Sequence, residues 1–180
     1  TLSSDSAEFN YGKSINLSGQ FTLADKQPIA ALPVHVEVKN DSDQNWREIT
    51  SLTTGSDGKV ALQVYLGVNQ NIRLRSDGTW ERLESASNIQ TITVKPQIKI
   101  SAPISVKSGG AIAVVGTLAP AKALPVNLEI FDGKWRQVSM VTADANGQYS
   151  FNYRPTTAPF AKLRTTAAGA ESAAVSVVIR

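Results

Sequence analysis

Leu32-Pro33-Val34-His35-Val36-Glu37-Val38 and Leu124-Pro125-Val126-Asn127-Leu128-Glu129-Ile130 are two copies of one pattern. In each, apolar residues recur at every second position behind a Leu-Pro pair. That is the period of a half-buried strand, and a helix would place them three or four apart. The duplication extends outward from this core. Gly12-Lys13-Ser14-Ile15-Asn16-Leu17-Ser18-Gly19-Gln20-Phe21 lies over Gly109-Gly110-Ala111-Ile112-Ala113-Val114-Val115-Gly116-Thr117-Leu118. Trp46-Arg47-Glu48-Ile49 lies over Trp135-Arg136-Gln137-Val138, and Asp57-Gly58-Lys59-Val60 over Asn146-Gly147-Gln148-Tyr149. Further on, Arg73-Leu74-Arg75 sits over Lys162-Leu163-Arg164, and residues 89–94 over 175–180. The displacement shrinks from 97 to 92 to 89 residues along the chain, and it changes where loops are expected.

Other rows alternate in the same way: Ile15, Leu17, Gly19, Phe21 and Leu23; Val60, Leu62 and Val64; Tyr149, Phe151 and Tyr153. Turn signals separate them at Ser56-Asp57-Gly58, Ser76-Asp77-Gly78, Asp132-Gly133 and Ala145-Asn146-Gly147, where Asp-Gly and Asn-Gly favour tight hairpins. No amphipathic stretch is long enough for a helix. About seven short antiparallel strands per copy predict an all-β protein of two tandem immunoglobulin-like β-sandwich domains, residues 1–95 and 96–180. The connection at residues 94–97 contains Pro96 and is too short for a floppy tether, so the sequence predicts a semi-rigid rod, with each module about 35 to 45 Å long.

Composition removes several function classes. The 180 residues contain no cysteine and one histidine, which excludes disulfides, thiolate metal centres and a cysteine nucleophile, and leaves no basis for a His-rich metal site. The net charge of +3 is spread singly or as Arg-x-Arg spacings, so no phosphate-binding stripe forms and a nucleic-acid partner is not expected. The densest cations, Arg73, Arg75 and Arg82 or Lys162 and Arg164, read as solvated strand faces. No apolar run reaches the length of a membrane helix, and Thr1 as first residue fits a mature or excised fragment.

Tyr11-Gly12-x-x-Ile15-x-Leu17-x-Gly19, then Leu32-Pro33-Val34, Trp46 with Ile49, and Thr53-Thr54 to Asp57-Gly58 together resemble the Ig-like repeats of secreted bacterial surface proteins. The second copy keeps the signature from Gly109 to Gly116, at Leu124-Pro125-Val126, at Trp135 to Val138, and from Thr142 to Gly147. The resemblance implies an extracellular or cell-surface location and a role as spacer, stalk or adhesive repeat. One departure is that Ile72 and Ala161 stand where such repeats often carry an aromatic, so a tyrosine-corner bond is not implied.

Candidate contact residues are Trp80, Arg82, Trp46 and Trp135. Trp46 and Trp135 are equivalent, which favours a role in the shared fold over a ligand platform. Trp80 has no counterpart and follows Asp77-Gly78-Thr79; it reads either as a stacking residue for a sugar or partner or as a lid over the sandwich edge. His35 should point away from the valines. Glu37 with Arg47, and Glu129 with Arg136, are expected to form cross-strand ion pairs. The loop Asn40-Asp41-Ser42-Asp43 has oxygen ligands but lacks the spacing of a dedicated calcium loop, and Lys13 with Asn88 offers a weak isopeptide pairing in the first copy. No Gly-x-Ser-x-Gly, phosphate loop or His-Glu-x-x-His is present.

The sequence therefore predicts a non-catalytic, monomeric spacer or adhesive stalk of a secreted or wall-attached bacterial protein, with no cofactor or metal. The alternative is a carbohydrate- or wall-polymer-binding accessory of a secreted hydrolase. Partners would be a polysaccharide, or a protein met at the cell surface, the latter through an exposed sheet edge.

Overall fold

Alternation at the Leu-Pro motif sets one face of each central strand inward, and the rest of each unit is built to cover that face. The computed structural model describes residues 1–155 and 159–180, and these contain strands and turns but no helix. They fall into two compact units, Thr1–Val94 and Lys95–Arg180.

The first unit comprises β1 (Leu2–Ser4), β2 (Glu8–Asn10), β3 (Ser14–Gln20), β4 (Pro33–Lys39), β5 (Arg47–Thr53), β6 (Lys59–Tyr65), β7 (Gln70–Ser76), β8 (Ser85–Ala86) and β9 (Gln90–Lys95). The second comprises β10 (Gln97–Ser101), β11 (Ser105–Val106), β12 (Ile112–Ala119), β13 (Pro125–Asp132), β14 (Lys134–Thr142), β15 (Gln148–Tyr153), β16 (Phe160–Ala167), β17 (Ala170–Glu171) and β18 (Val175–Ile179). In the first unit the sheet β1-β3-β6 packs on β2-β9-β7-β4-β5, with β8 beside β7. The second unit repeats this order as β10-β12-β15 and β11-β18-β16-β13-β14, with β17 beside β16. Each unit is therefore an immunoglobulin-like sandwich whose opening strand is split between the two sheets. That split, with the short β8 and β17, gives nine strand segments per unit among the described residues against about seven expected.

Val34, Val36 and Val38 of β4 meet Ile15, Leu17, Val60, Ile72, Leu74 and Ile92 in one buried cluster. Val126, Leu128 and Ile130 of β13 meet Ile112, Val114, Phe151, Leu163 and Val177 in the other. Each such side chain contributes about 1.5 to 3 kcal/mol by leaving water. The inward row of β3 continues to buried Phe21 just past the strand end, whereas Leu23 is half exposed.

Two sequence expectations change. The turns at Gly58 and Gly147 are not hairpins: they carry the chain from β5 to β6 and from β14 to β15, between opposite sheets. Both glycines have positive φ, 72° and 74°, and a Cβ would lie 2.5 Å from the carbonyl oxygen of Phe21 or Leu118. Gly133, by contrast, does close a tight β13–β14 hairpin. The second change is in register. Glu37 lies opposite Arg73 on β7 and Glu129 opposite Arg164 on β16, so Arg164 matches Arg73 and not Arg75. Two additional residues between β15 and β16 hid this correspondence.

Gly19 and Gly116 share a constraint. A Cβ on Gly19 would collide with the Cδ1 end of Leu74 and come to 3.0 Å from the Thr1 carbonyl oxygen, whereas one on Gly116 would collide outright with the Lys99 carbonyl oxygen and the Tyr149 ring and hydroxyl. Tyr149 is fixed there, because its hydroxyl bonds the Lys99 carbonyl at 2.8 Å and the buried Thr165 hydroxyl at 2.7 Å. A leucine tip can swing aside, but backbone and a bonded phenol cannot. Gly116→Ala is expected to destabilise the second unit by about 2 to 3 kcal/mol, and Gly19→Ala the first by about 1 kcal/mol or less. Denaturant midpoints of the two variants measure this, and equal losses would contradict it.

Candidate functional site

With the valines of β4 turned inward, His35 and Glu37 face out, opposite Arg75 and Arg73 of β7. Arg73 Nε donates to Glu37 Oε2 at 2.7 Å and Arg75 Nε donates to Oε1 at 2.8 Å, so each carboxylate oxygen has its own guanidinium. Glu37 is only 7% exposed. Burial alone would raise its pKa, but the bonds from Arg75 and Arg73 outweigh burial and hold it below the usual carboxylate range. Arg75 also bonds Asp77, whose second oxygen lies 2.9 Å from His35 Nε2. Glu48 approaches His35 Nδ1, also at 2.9 Å. At the start of this chain of contacts the Arg73 guanidinium stacks 4.4 Å from the ring of half-buried Trp46.

The second unit repeats the core of this arrangement. Arg164 Nε donates to Glu129 at 2.6 Å, its other end bonds Glu171, and its guanidinium lies 4.4 Å from the Trp135 ring. Phe131 packs edge-on to Trp135 at 5.3 Å, and Lys162 Nζ lies 5.3 Å from the Phe131 ring.

The expected pairs Glu37–Arg47 and Glu129–Arg136 do not form. A bulge shifts β5 so that Arg47 lies opposite Val38, and one in the second unit sets Arg136 opposite Ile130. The partners come instead from β7 and β16. Trp46 and Trp135 are outside both core clusters; they lie on the outer sheet face, each with an arginine on its ring. Arg73 and Arg164 are thus the residues the sequence reading missed as organisers of this face. Their alternate-position spacing marked a strand face but could not name its acids.

Chemically, the cluster around His35 is closed. Both ring nitrogens face carboxylates, and only an imidazolium donates to both. No ring nitrogen is left to take a proton from Ser51, directly opposite on β5. The bond to Asp77 raises the His35 pKa; burial opposes this and Glu48 reinforces it.

Trp80 and Arg82 belong elsewhere, to the loop 77–84 between β7 and β8. Trp80 is 93% exposed and Leu83 91%, which excludes the lid reading. The turn is braced from within: Thr79 N donates to the Arg82 carbonyl at 2.7 Å, and Thr79 Oγ1 accepts from the amides of Glu81 and Arg82. Of the other candidates, Asp41 accepts from the Asn71 amide and Asp43 from the Asn40 amide, so those carboxylates tie down their own loop. The Asn88 side chain pairs with both backbone groups of Leu2, at 2.8 and 2.9 Å.

The sequence matches no known family model and no curated protein. Among solved structures the chain is similar to the D0-D1 domain of intimin, with 14% identity and a TM-score of 0.39 over 99% of this chain and 97% of that one. It is also similar to invasin, a bacterial integrin-binding protein, with 17% identity and a TM-score of 0.44 over 99% and 39%. A third match is to the chicken CNTN1 FN1-FN3 domains, with 12% identity and a TM-score of 0.37 over 97% and 65%. At such values the fold rests on the strand order described above.

Glu37→Gln leaves two guanidiniums facing one neutral amide and is expected to destabilise the first unit by about 3 kcal/mol; Glu129→Gln, with one arginine at stake, should cost the second unit less. Each loss is read from the denaturant midpoint of that unit. The Glu37 contribution is present above its ordinary pKa of 4.5 and is lost as pH falls through its lowered folded value. For His35 the sign reverses. Its contribution is full below its ordinary value of 6.5 and is lost as pH rises through the raised folded value, so the first unit should weaken above about pH 6.5. His35→Asn should abolish that slope, since Asn127 already occupies the equivalent position in the second unit.

Proposed function

We propose that the chain is a non-catalytic pair of Ig-like modules that serves as a load-bearing spacer or adhesive stalk in a secreted or wall-attached bacterial protein. The observation that carries this reading is the pairing of first and last strands within the second unit. There β11 lies parallel to β18, with Ser105 opposite Val178 and Val106 opposite Ile179. The ladder continues as Val178 N to the Ile104 carbonyl at 2.9 Å, Arg180 N to that of Val106 at 3.0 Å, and Ser108 N to that of Arg180 at 2.5 Å. A pull on the two ends of the unit moves parallel neighbours past each other, so these bonds are loaded together and not opened one at a time. The first unit ties its ends at the equivalent place, with β2 beside the last strand β9, and adds side-chain bonds. Leu2 is held by Asn88 and by Gln90, and the Ala7 carbonyl accepts from Thr93 N at 2.8 Å.

The outer-face clusters support the same reading. Residues of catalytic type are spent on each other in both units, Trp46–Arg73–Glu37 in one and Trp135–Arg164–Glu129 in the other. A brace repeated at equivalent positions serves the shared shape more simply than it serves a ligand.

Pulling the chain between its ends in a single-molecule experiment should give two unfolding steps, one per unit. Ser108→Pro removes the donor to Arg180 and should lower the force of the second unit's step while leaving the other unchanged. A step that ignores the substitution would remove the basis for the load-bearing role.

A further inference from the structure

We propose that the loop 77–84 is a docking site for a neutral glycan, with the Trp80 indole as stacking platform and Glu81, Arg82 and Glu84 as partners for sugar hydroxyls. The duplicated fold supplies the first argument. Arg75 lies opposite Ala86 and Ser76 opposite Ser85 in the first unit, just as Thr166 lies opposite Glu171 and Ala167 opposite Ala170 in the second. The second unit closes this hairpin with Ala168 and Gly169 alone, both at positive φ. The first unit spans the same gap with residues 77–84. The sandwich therefore does not need the longer loop, and the added residues carry Trp80, Arg82 and Leu83.

Exposure gives the second argument. Trp80 and Leu83 are each more than 90% exposed and belong to neither core, so the fold gains almost nothing from them. An indole combines a large apolar face with one polar N–H, the combination that suits a contact surface. The third argument is rigidity. The bonds between Thr79 and Arg82 fix the tip, while the Asp77 contacts with Arg75 and His35 and the Ser76–Ser85 hydroxyl bond of 2.9 Å fix its base. Little conformational entropy remains to be lost on binding.

Charge selects among occupants. Three carboxylates, Asp77, Glu81 and Glu84, stand in the loop against one guanidinium, Arg82. Asp77 is held by Arg75 and His35, and Glu84 lies 4.0 Å from Arg75. With its carboxylates offset in this way the loop carries no surplus of cations, which disfavours anionic polymers and anionic lipid surfaces as occupants. A protein hot spot would set its anchor among residues depleted of charge, whereas Trp80 is followed directly by Glu81 and Arg82. Carboxylates and a guanidinium beside a bare indole suit a ligand with an apolar C–H face rimmed by hydroxyls.

The site does not depend on the spacer reading: its test leaves the force experiment untouched, and each can fail alone. The full chain, labelled with ¹⁵N, is titrated with neutral oligosaccharides of glucose, mannose, galactose and N-acetylglucosamine, with polygalacturonate, and with phosphatidylcholine vesicles. The expected result is a saturable shift of the Trp80 indole N–H with at least one neutral sugar. The dissociation constant should be on the order of 1 mM, as befits one platform, and the Trp46 and Trp135 signals should stay in place. Trp80→Ala, at an exposed tip where folding is not at stake, should weaken binding at least about tenfold, a loss of 1.4 kcal/mol. No saturable shift with any neutral sugar, binding that survives Trp80→Ala, or a response to polygalacturonate or vesicles alone would each overturn the proposal.

Discussion

The structure turns on a conflict within one strand. β4 must bury its valine face completely, yet its other face carries His35 and Glu37, and Glu37 is almost as inaccessible as the valines. A carboxylate withdrawn from water costs several kcal/mol unless both its oxygens are bonded. Arg73 and Arg75 meet that requirement from the adjacent strand, one oxygen each, and so fix the register of β4 against β7 as firmly as the core does. A slip of one residue would expose the valines and bury an arginine beside them. Core packing and outer-face electrostatics therefore specify the same pairing, which is the consistency expected of a sequence with one native state.

The second unit meets the same demand with different parts. Glu129 has one arginine where Glu37 has two, and Asn127 replaces the histidine. It gains a buried hydroxyl pair instead, Tyr149 with Thr165, at a place where the first unit has Val60 and Leu74. Burial raises the Tyr149 pKa while Thr165 opposes the rise, so the phenol stays a neutral donor and acceptor across the working range of pH. Gly116 is the condition for that arrangement, since the Tyr149 ring occupies the space that any side chain there would need.

The sandwich was readable in the sequence because its determinants are local. Strand period follows from neighbours two residues apart, and the two copies check each other. Pairing partners were less readable. Sequence distance pairs Glu37 with Arg47 across the β4–β5 hairpin, but the bulge in β5 sets Arg47 opposite Val38. Bulges leave no signature in alternation when the strand they shift is as exposed as β5. Likewise Arg164 falls under Arg75 in the sequence but matches Arg73 in the structure, since two residues gained between strands are invisible when both segments read as basic-apolar-basic. Turn residues are legible in the sequence, but their role is not. Gly58 needs its positive φ to pass between sheets, and Asp-Gly reads the same whether the chain turns back or crosses over.

Trp80 illustrates what duplication adds to such a reading. Its lack of a counterpart was visible from sequence, but an unmatched aromatic is as easily a local packing device as a contact. The structure separates the two because β8 and β17 pair in the same register, so the hairpins differ only in what lies beyond the pairing. Whatever the shared sandwich requires must be present in the shorter hairpin, where Ala168 and Gly169 suffice. A residue that the longer one adds and leaves bare to water does nothing for the shared sandwich. The same reasoning sets Trp46 and Trp135 apart from it: both copies keep them, both place an arginine on the ring, and both place a buried or half-buried glutamate behind that arginine.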